Sequence, residues 1–253
     1  ILPIKTMDTI MLDREDLIRR SGVRNVFIPN KPIDSIELFS GRQEEVNKII
    51  ECLGTSGLHV LLYGDRGVGK TSLSSITCSI LTMERIIPNF YIKRCDSGDT
   101  FSSIIMHLFE ELNIECILKK NKSWGLSILW NLLSFSKGHN IEVVTYDNIN
   151  SPSWVAKKVA HEKSVFLIDE IDVLLNPNDK KKIAELIKQL SDNNSKFTIF
   201  IVGISKTASE LTGGHPSIQR CLKEVRLDRM SDNELRDILI KGEERLNIKF
   251  SNE

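Results

Sequence analysis

The chain has 253 residues, 41% hydrophobic and 27% charged, an ordinary soluble mix with room for one large α/β domain or a domain and a half. Its 34 basic and 34 acidic residues cancel, which removes any bulk electrostatic case for nucleic acid and leaves only a local basic patch. Five scattered cysteines with no C-x-x-C pair are expected as free thiols of a reducing, cytoplasmic compartment, and no apolar run reaches the roughly 18–20 residues of a membrane span.

The first residue is Ile1 rather than Met, as expected of a piece of a longer protein, and Asp8, Asp13, Glu15 and Asp16 interrupt any signal-peptide core. Residues 1–35 read as a leader, with a short helix around Arg14–Arg20 and a linker marked by Pro29 and Pro32. Ser40 is placed to cap a helix whose Val46, Ile49, Ile50 and Leu53 recur at helical spacing.

The run Val60–Tyr63 has strand character and breaks into Gly64-Asp65-Arg66-Gly67-Val68-Gly69-Lys70-Thr71, followed by a helix over Ser72–Leu81. Gly64, Gly69, Lys70 and Thr71 complete the P-loop pattern in its strand–loop–helix setting. Glycines let backbone N–H groups of residues 64–72, Ser72 included, converge on phosphate, and the helix adds its positive end. Lys70 reaches for the β- and γ-phosphates, and the Thr71 hydroxyl is suited to Mg²⁺.

Asn89–Cys95 is a second strand candidate, and Thr100 caps a helix carrying Ile104, Ile105, Leu108, Phe109 and Leu112. Between Asn113 and Asn150 the pattern fits either a hairpin or a helix followed by a strand, with Ile141–Tyr146 extended. Ser151-Pro152 opens a helix over Ser153–Glu162. Val165–Ile168 then reads as a strand buried on both faces that ends in Asp169-Glu170. Ligands bind at that end of an open α/β sheet, so Asp169 is the expected Mg²⁺ carboxylate and Glu170 the residue that polarises the attacking water.

Asp179 is expected to cap a helix over Lys180–Leu190, with Lys180-Lys181-Lys182 on its solvated face. Phe197–Ile204 is another buried strand, Ser217–Leu222 a short helix and Glu224–Leu227 a last strand. Ser231-x-x-Glu234 is a capping box that opens a helix through Leu235, Ile238, Leu239 and Leu246. Trp124, Trp130 and Trp154 read as packing residues, and His107, His139 and His161 lack zinc-ligand spacing.

Alternating strands and helices around a P-loop and a strand-terminal Asp-Glu imply a doubly wound, mostly parallel sheet with helices on both faces. Over residues 36–250 the chain resembles the AAA+ ATPases. Phe39-Ser40-Gly41-Arg42 is similar to the segment that borders the adenine pocket, Gly64–Thr71 to Walker A and Val165–Glu170 to Walker B. Asp169-Glu170-Ile171-Asp172 resembles the replication-initiator and STAND-type branches.

The resemblance implies a nucleotide-binding domain over residues 36–227 and a helical lid begun by residues 228–253, the rest of the lid lying outside this chain. It places Ser205 at sensor 1, where Asn or Thr is commoner, and Arg220 as an arginine finger acting on a neighbouring subunit, with Arg226 and Arg229 as competitors. Lys70 and Asp169 stand 99 residues apart, longer than usual for the family, so residues 113–150 are expected as an insertion or a decorated surface loop. The implied function is Mg-ATP binding and hydrolysis coupled to homo-oligomerisation and a protein partner. The alternatives are an ATP-gated scaffold with slow turnover and a DNA-associated ATPase, for which net charge offers no support.

Overall fold

The computed structural model describes residue 22 and residues 41–114, 144–212 and 217–249. The expected leader, the Ser40 cap, Trp124, Trp130, His139, Cys116 and most of the expected insertion lie outside the described residues.

Five strands of six residues each organise the chain: β1 (His59–Gly64), β2 (Asn89–Arg94), β3 (Ser164–Asp169), β4 (Thr198–Gly203) and β5 (Leu222–Leu227). They form one parallel sheet in the order β2-β3-β4-β1-β5. Helix α1 (Gln43–Leu53) precedes β1. The crossovers that parallel neighbours require are supplied by α2 (Lys70–Met83), α3 (Phe101–Glu111), α4 (Tyr146–Ile149), α5 (Pro152–Val159), α6 (Pro177–Asp192) and α7 (Ser205–Thr212), and α8 (Asp232–Leu246) follows β5. The doubly wound fold class is as the sequence implies.

Alternation along the strands sorts the core into two layers. Val60, Leu62, Val165, Leu167, Phe200 and Val202 pack on one face with Val46, Ile49, Leu73 and Leu81 of α1 and α2. Leu61, Phe166, Ile168, Ile199 and Ile201 face the other way, against α3, α5, α6 and α7. Every residue of β3 and β4 is buried, which is why both strands read as unbroken apolar runs. Trp154 packs edge-on against Phe109, with centroids 6.1 Å apart, and serves the core.

Several boundaries differ from expectation. Thr145 caps α4 from Tyr146 onward, so Tyr146 is helical rather than extended. Asn176 caps α6, with Pro177 in its first turn. Asp179 instead accepts the Phe101 backbone N–H at 3.0 Å, tying α6 to the start of α3. Lys180 is not a free solvated charge, because its Nζ meets Glu210 at 2.8 Å. Lys182 hydrogen-bonds Asn150 at 2.6 Å. The short helix after the chain's fourth strand is a single 3₁₀ turn, Ile218–Arg220.

His59, at the start of β1, is fully buried. Its Nδ1 accepts the Ile199 N–H at 2.9 Å, while Nε2 has no partner. Its own backbone N–H donates to the Cys221 carbonyl at 2.8 Å, joining β1 to the 3₁₀ turn. Nδ1 must stay unprotonated to accept, and burial pushes the imidazole pKa down to about 3. The unfolded chain therefore takes up a proton that the folded chain refuses. Stability is complete above about pH 6.5 and is lost as pH falls toward 3, by up to about 1.4 kcal/mol per pH unit from this group. Urea denaturation of wild type and His59→Gln across that range should show a shallower decline in the variant.

Candidate functional site

The C-terminal ends of β1, β3 and β4 converge on an open cleft of about 640 Å³. Its wall is the P-loop and the first turn of α2; Asp169, Glu170, Asp172 and Val173 face it, and Val202, Gly203 and Ile204 floor it. Strand order creates the cleft, because β4 lies between the P-loop strand and the strand bearing the acids.

The loop's geometry follows from its glycines. Gly67 and Gly69 have φ of 81° and 92°, conformations that cost other residues strain, and a Cβ on either would meet open space. Gly64 is constrained differently: a Cβ there would lie 2.1 Å from the Leu227 carbonyl oxygen of β5. Helix α2 begins at Lys70, two residues earlier than expected, with no side-chain cap at Gly69 and no acid in its first turn. Its positive end is left to an anion. Lys70 Nζ donates to the carbonyls of Gly64 at 3.0 Å and Asp65 at 2.7 Å, which holds the ammonium over the loop. Partial burial lowers its pKa, opposed most by Asp172 and then Asp169.

The Thr71 hydroxyl donates to Asp169 Oδ2 at 3.0 Å, joining the loop to β3 across the end of β4. Asp169 is buried, and its Oδ1 accepts the Glu170 N–H at 2.9 Å. Glu170 is exposed on the cleft and adopts a left-handed backbone, φ 58°, uncommon for a non-glycine residue. A nucleoside triphosphate fits this set in charge and volume. Mg²⁺ fits too, because a hydroxyl and a carboxylate stand side by side as hard oxygen donors.

The expected residues divide into those brought together and those kept apart. Gly64, Asp65, Arg66, Gly67, Val68, Gly69, Lys70, Thr71 and Ser72 form one continuous loop and helix start, with Asp169 and Glu170 opposite. Ser205 is not the strand's last residue; β4 ends at Gly203, and Ser205 opens α7 directly after the cleft-lining Ile204. Arg220 is exposed and lies beyond the opposite end of the sheet, since it precedes Leu222, the register partner of His59. The six residues of β1 separate it from its own P-loop by roughly 20 Å.

Three arginines carry long-range contacts that no local pattern reveals. Arg66 pairs with Asp172 at 3.6 Å, and Arg94, at the end of β2, approaches Asp169 at 3.7 Å. Arg42, buried and in a left-handed conformation, stands at the N-terminal boundary of α1 and clamps α8. It donates to the Asp228 carbonyl and faces Glu234 at 3.7 Å and Glu45 at 3.6 Å. Glu234 also closes the capping box with Ser231, whose N–H holds its carboxyl below the usual range. The cap and the clamp share one carboxylate.

This site and sheet have the architecture of a P-loop nucleotide-binding domain. The family model "ATPase family associated with various cellular activities (AAA)" matches residues 60–229, and the chain belongs to that family of ATP-binding ATPases. No curated protein matches its sequence. Among solved structures it is similar to Cdc6p from Pyrobaculum aerophilum (TM-score 0.56, 17% identity, 88% of this chain and 53% of that one). It is also similar to the Aeropyrum pernix ORC1 protein in complex with DNA (0.55, 17%, 87% and 53%). The Walker-type ATPase paby2304 of Pyrococcus abyssi gives 0.54 at 18%, with 88% and 63% covered. The chain thus spans about half to two thirds of these proteins. Among the described residues no helix is long and apolar enough to cross a membrane.

The Arg42 clamp makes the attachment of α8 separable from the integrity of the sheet. Arg42→Met, which keeps the stem and removes the charge, should speed amide exchange across Asp232–Leu246 while leaving β3 and β4 protected. Hydrogen-exchange mass spectrometry measures both.

Proposed function

We propose that the chain hydrolyses Mg-ATP in the cleft at Gly64–Thr71 and couples nucleotide state to assembly with further copies of itself and to a protein partner. The observation that carries this reading is the Thr71–Asp169 hydrogen bond, which brings the loop and the strand-terminal acids into one cleft with Glu170. Magnesium, held by Thr71 and Asp169, would screen the charge of the β- and γ-phosphates. Lys70 leaves its two loop carbonyls to bind those phosphates, and the start of α2 supports them through its backbone N–H groups. Glu170 orients a water and accepts its proton as the oxygen bonds to the γ-phosphorus. The bond to the bridging oxygen breaks, and ADP and phosphate result.

Ser205 is proposed as the hydroxyl that senses the γ-phosphate, from its place after Ile204. Arg220 is proposed as a finger in trans, and its separation from the loop of its own chain supports that assignment. Residues 36–227 form the nucleotide-binding unit in this reading and residues 228–253 begin a lid. Leu235 and Leu239 of α8 are each about half exposed, as a surface awaiting a neighbour would be. Arg42 and Gly41, both against Glu234, give the lid a route to the segment ahead of the loop.

Lys70→Ala should abolish ATP binding, and Glu170→Gln should retain it while turnover falls on the order of 10²-fold. Arg220→Ala should lose a comparable factor yet regain part of it when mixed with Lys70→Ala, because one interface then holds an intact loop and an intact finger. Steady-state phosphate release and a nucleotide-binding titration read these outcomes. An unchanged rate in both Lys70→Ala and Glu170→Gln would overturn the reading.

A further inference from the structure

Strand β2 ends at Arg94, and its register partner on β3 is Asp169. The side chains meet there: Arg94 Nε stands 3.7 Å from Asp169 Oδ2, the oxygen that also accepts the Thr71 hydroxyl. Backbone contacts keep the carboxylate in place. The Cys95 N–H donates to the Asp169 carbonyl at 2.9 Å, and Oδ1 is occupied by the Glu170 N–H. Oδ2 therefore faces one neutral donor and one guanidinium. The neighbouring cations are committed elsewhere, Lys93 to Asp99 at 2.8 Å, Arg66 to Asp172, and Lys70 to the carbonyls of Gly64 and Asp65.

We propose that Arg94 is a positioning residue that competes with the divalent ion for Asp169 Oδ2 and so sets the magnesium concentration at which the site loads. The inference rests on the Mg-ATP reading above. Asp169 is only 2% exposed, so a cation at its oxygen acts in a poorly screened place. The Arg94 side chain is 58% exposed, so its pairing is weak and its head can swing into water without disturbing the sheet. A strong buried pair would block the metal; this one is displaceable. An exposed arginine therefore raises the magnesium threshold without closing the site.

The test titrates a fluorescent ATP analogue bound to the full chain with MgCl₂ at constant ionic strength. Wild type is compared with Arg94→Gln, Arg94→Ser and Arg94→Lys. Lys157→Gln, on α5 near the N-terminal end of the sheet, controls for loss of a remote charge. Half-saturating magnesium should fall about 3–10-fold in the two neutral variants and stay near wild type in Arg94→Lys and Lys157→Gln. Thermal melts confirm that each variant is folded, and two neutral substitutions guard against misfolding of either. No shift in the neutral variants, with magnesium-dependent binding in wild type, overturns the competition and leaves the Mg-ATP reading standing. A raised requirement also overturns it, by assigning Arg94 to the phosphates. An equal fall in Lys157→Gln reduces the effect to bulk charge and overturns it as well. Nucleotide binding by wild type that ignores magnesium overturns both readings together.

Discussion

The Thr71–Asp169 hydrogen bond is the contact on which the site depends, and it is not a contact between neighbouring strands. The loop follows β1, the acid ends β3, and the whole of β4 lies between them. Two interstrand intervals are roughly 10 Å, so the loop must arch over the end of β4 for the hydroxyl to reach the carboxylate. Gly203 and Ile204 become the floor of the cleft for that reason. Complete burial of β3 and β4 on both faces fixes the strand ends relative to one another, because a one-residue slip would exchange the two core layers.

Charge in and around the cleft is balanced by pairs drawn from different elements. Asp169 answers Arg94 of β2, Asp172 answers Arg66 of the loop, and Glu234 of α8 answers Arg42 ahead of α1. Lys70 is the exception among these cations, satisfied by loop carbonyls and lying nearest three acids. The zero net charge of the chain conceals this local organisation. Because Asp169 and Asp172 each have a partner on a separate element, the arrival of phosphate and metal must exchange partners there rather than simply add charge.

The parts legible in the sequence are those whose signal is local. Gly64–Thr71 and Val165–Glu170 announce themselves because phosphate binding and two-sided burial each demand a short, contiguous pattern. The Thr100 cap and the Ser231 capping box are equally readable, since each is a local pattern, and the structure adds Ser103 as the reciprocal partner of Thr100. Asp179 is the opposite case: it sits in the first turn of a helix, where a carboxylate reads as a cap, but its hydrogen bond goes 78 residues back to Phe101. Arg66, Arg94 and the hold of Arg42 on α8 are silent because those partners lie far away in the chain, and one-sequence periodicity carries no such information. The start of α7 at Ser205 is hard to read because Ser and Thr are weak helix formers and the apolar strand before them masks the boundary.

Gly64 belongs to two structures at once. It opens the phosphate loop, and it is also the place where the end of β5 comes too close for any side chain, with the Leu227 carbonyl occupying the space of a Cβ. Gly67 and Gly69 bear only the first duty, since nothing crowds them. Mutational sensitivity at the three glycines therefore has different meanings. A defect at Gly67 or Gly69 speaks to the conformation of the loop, whereas one at Gly64 conflates ligand recognition with the seating of an edge strand.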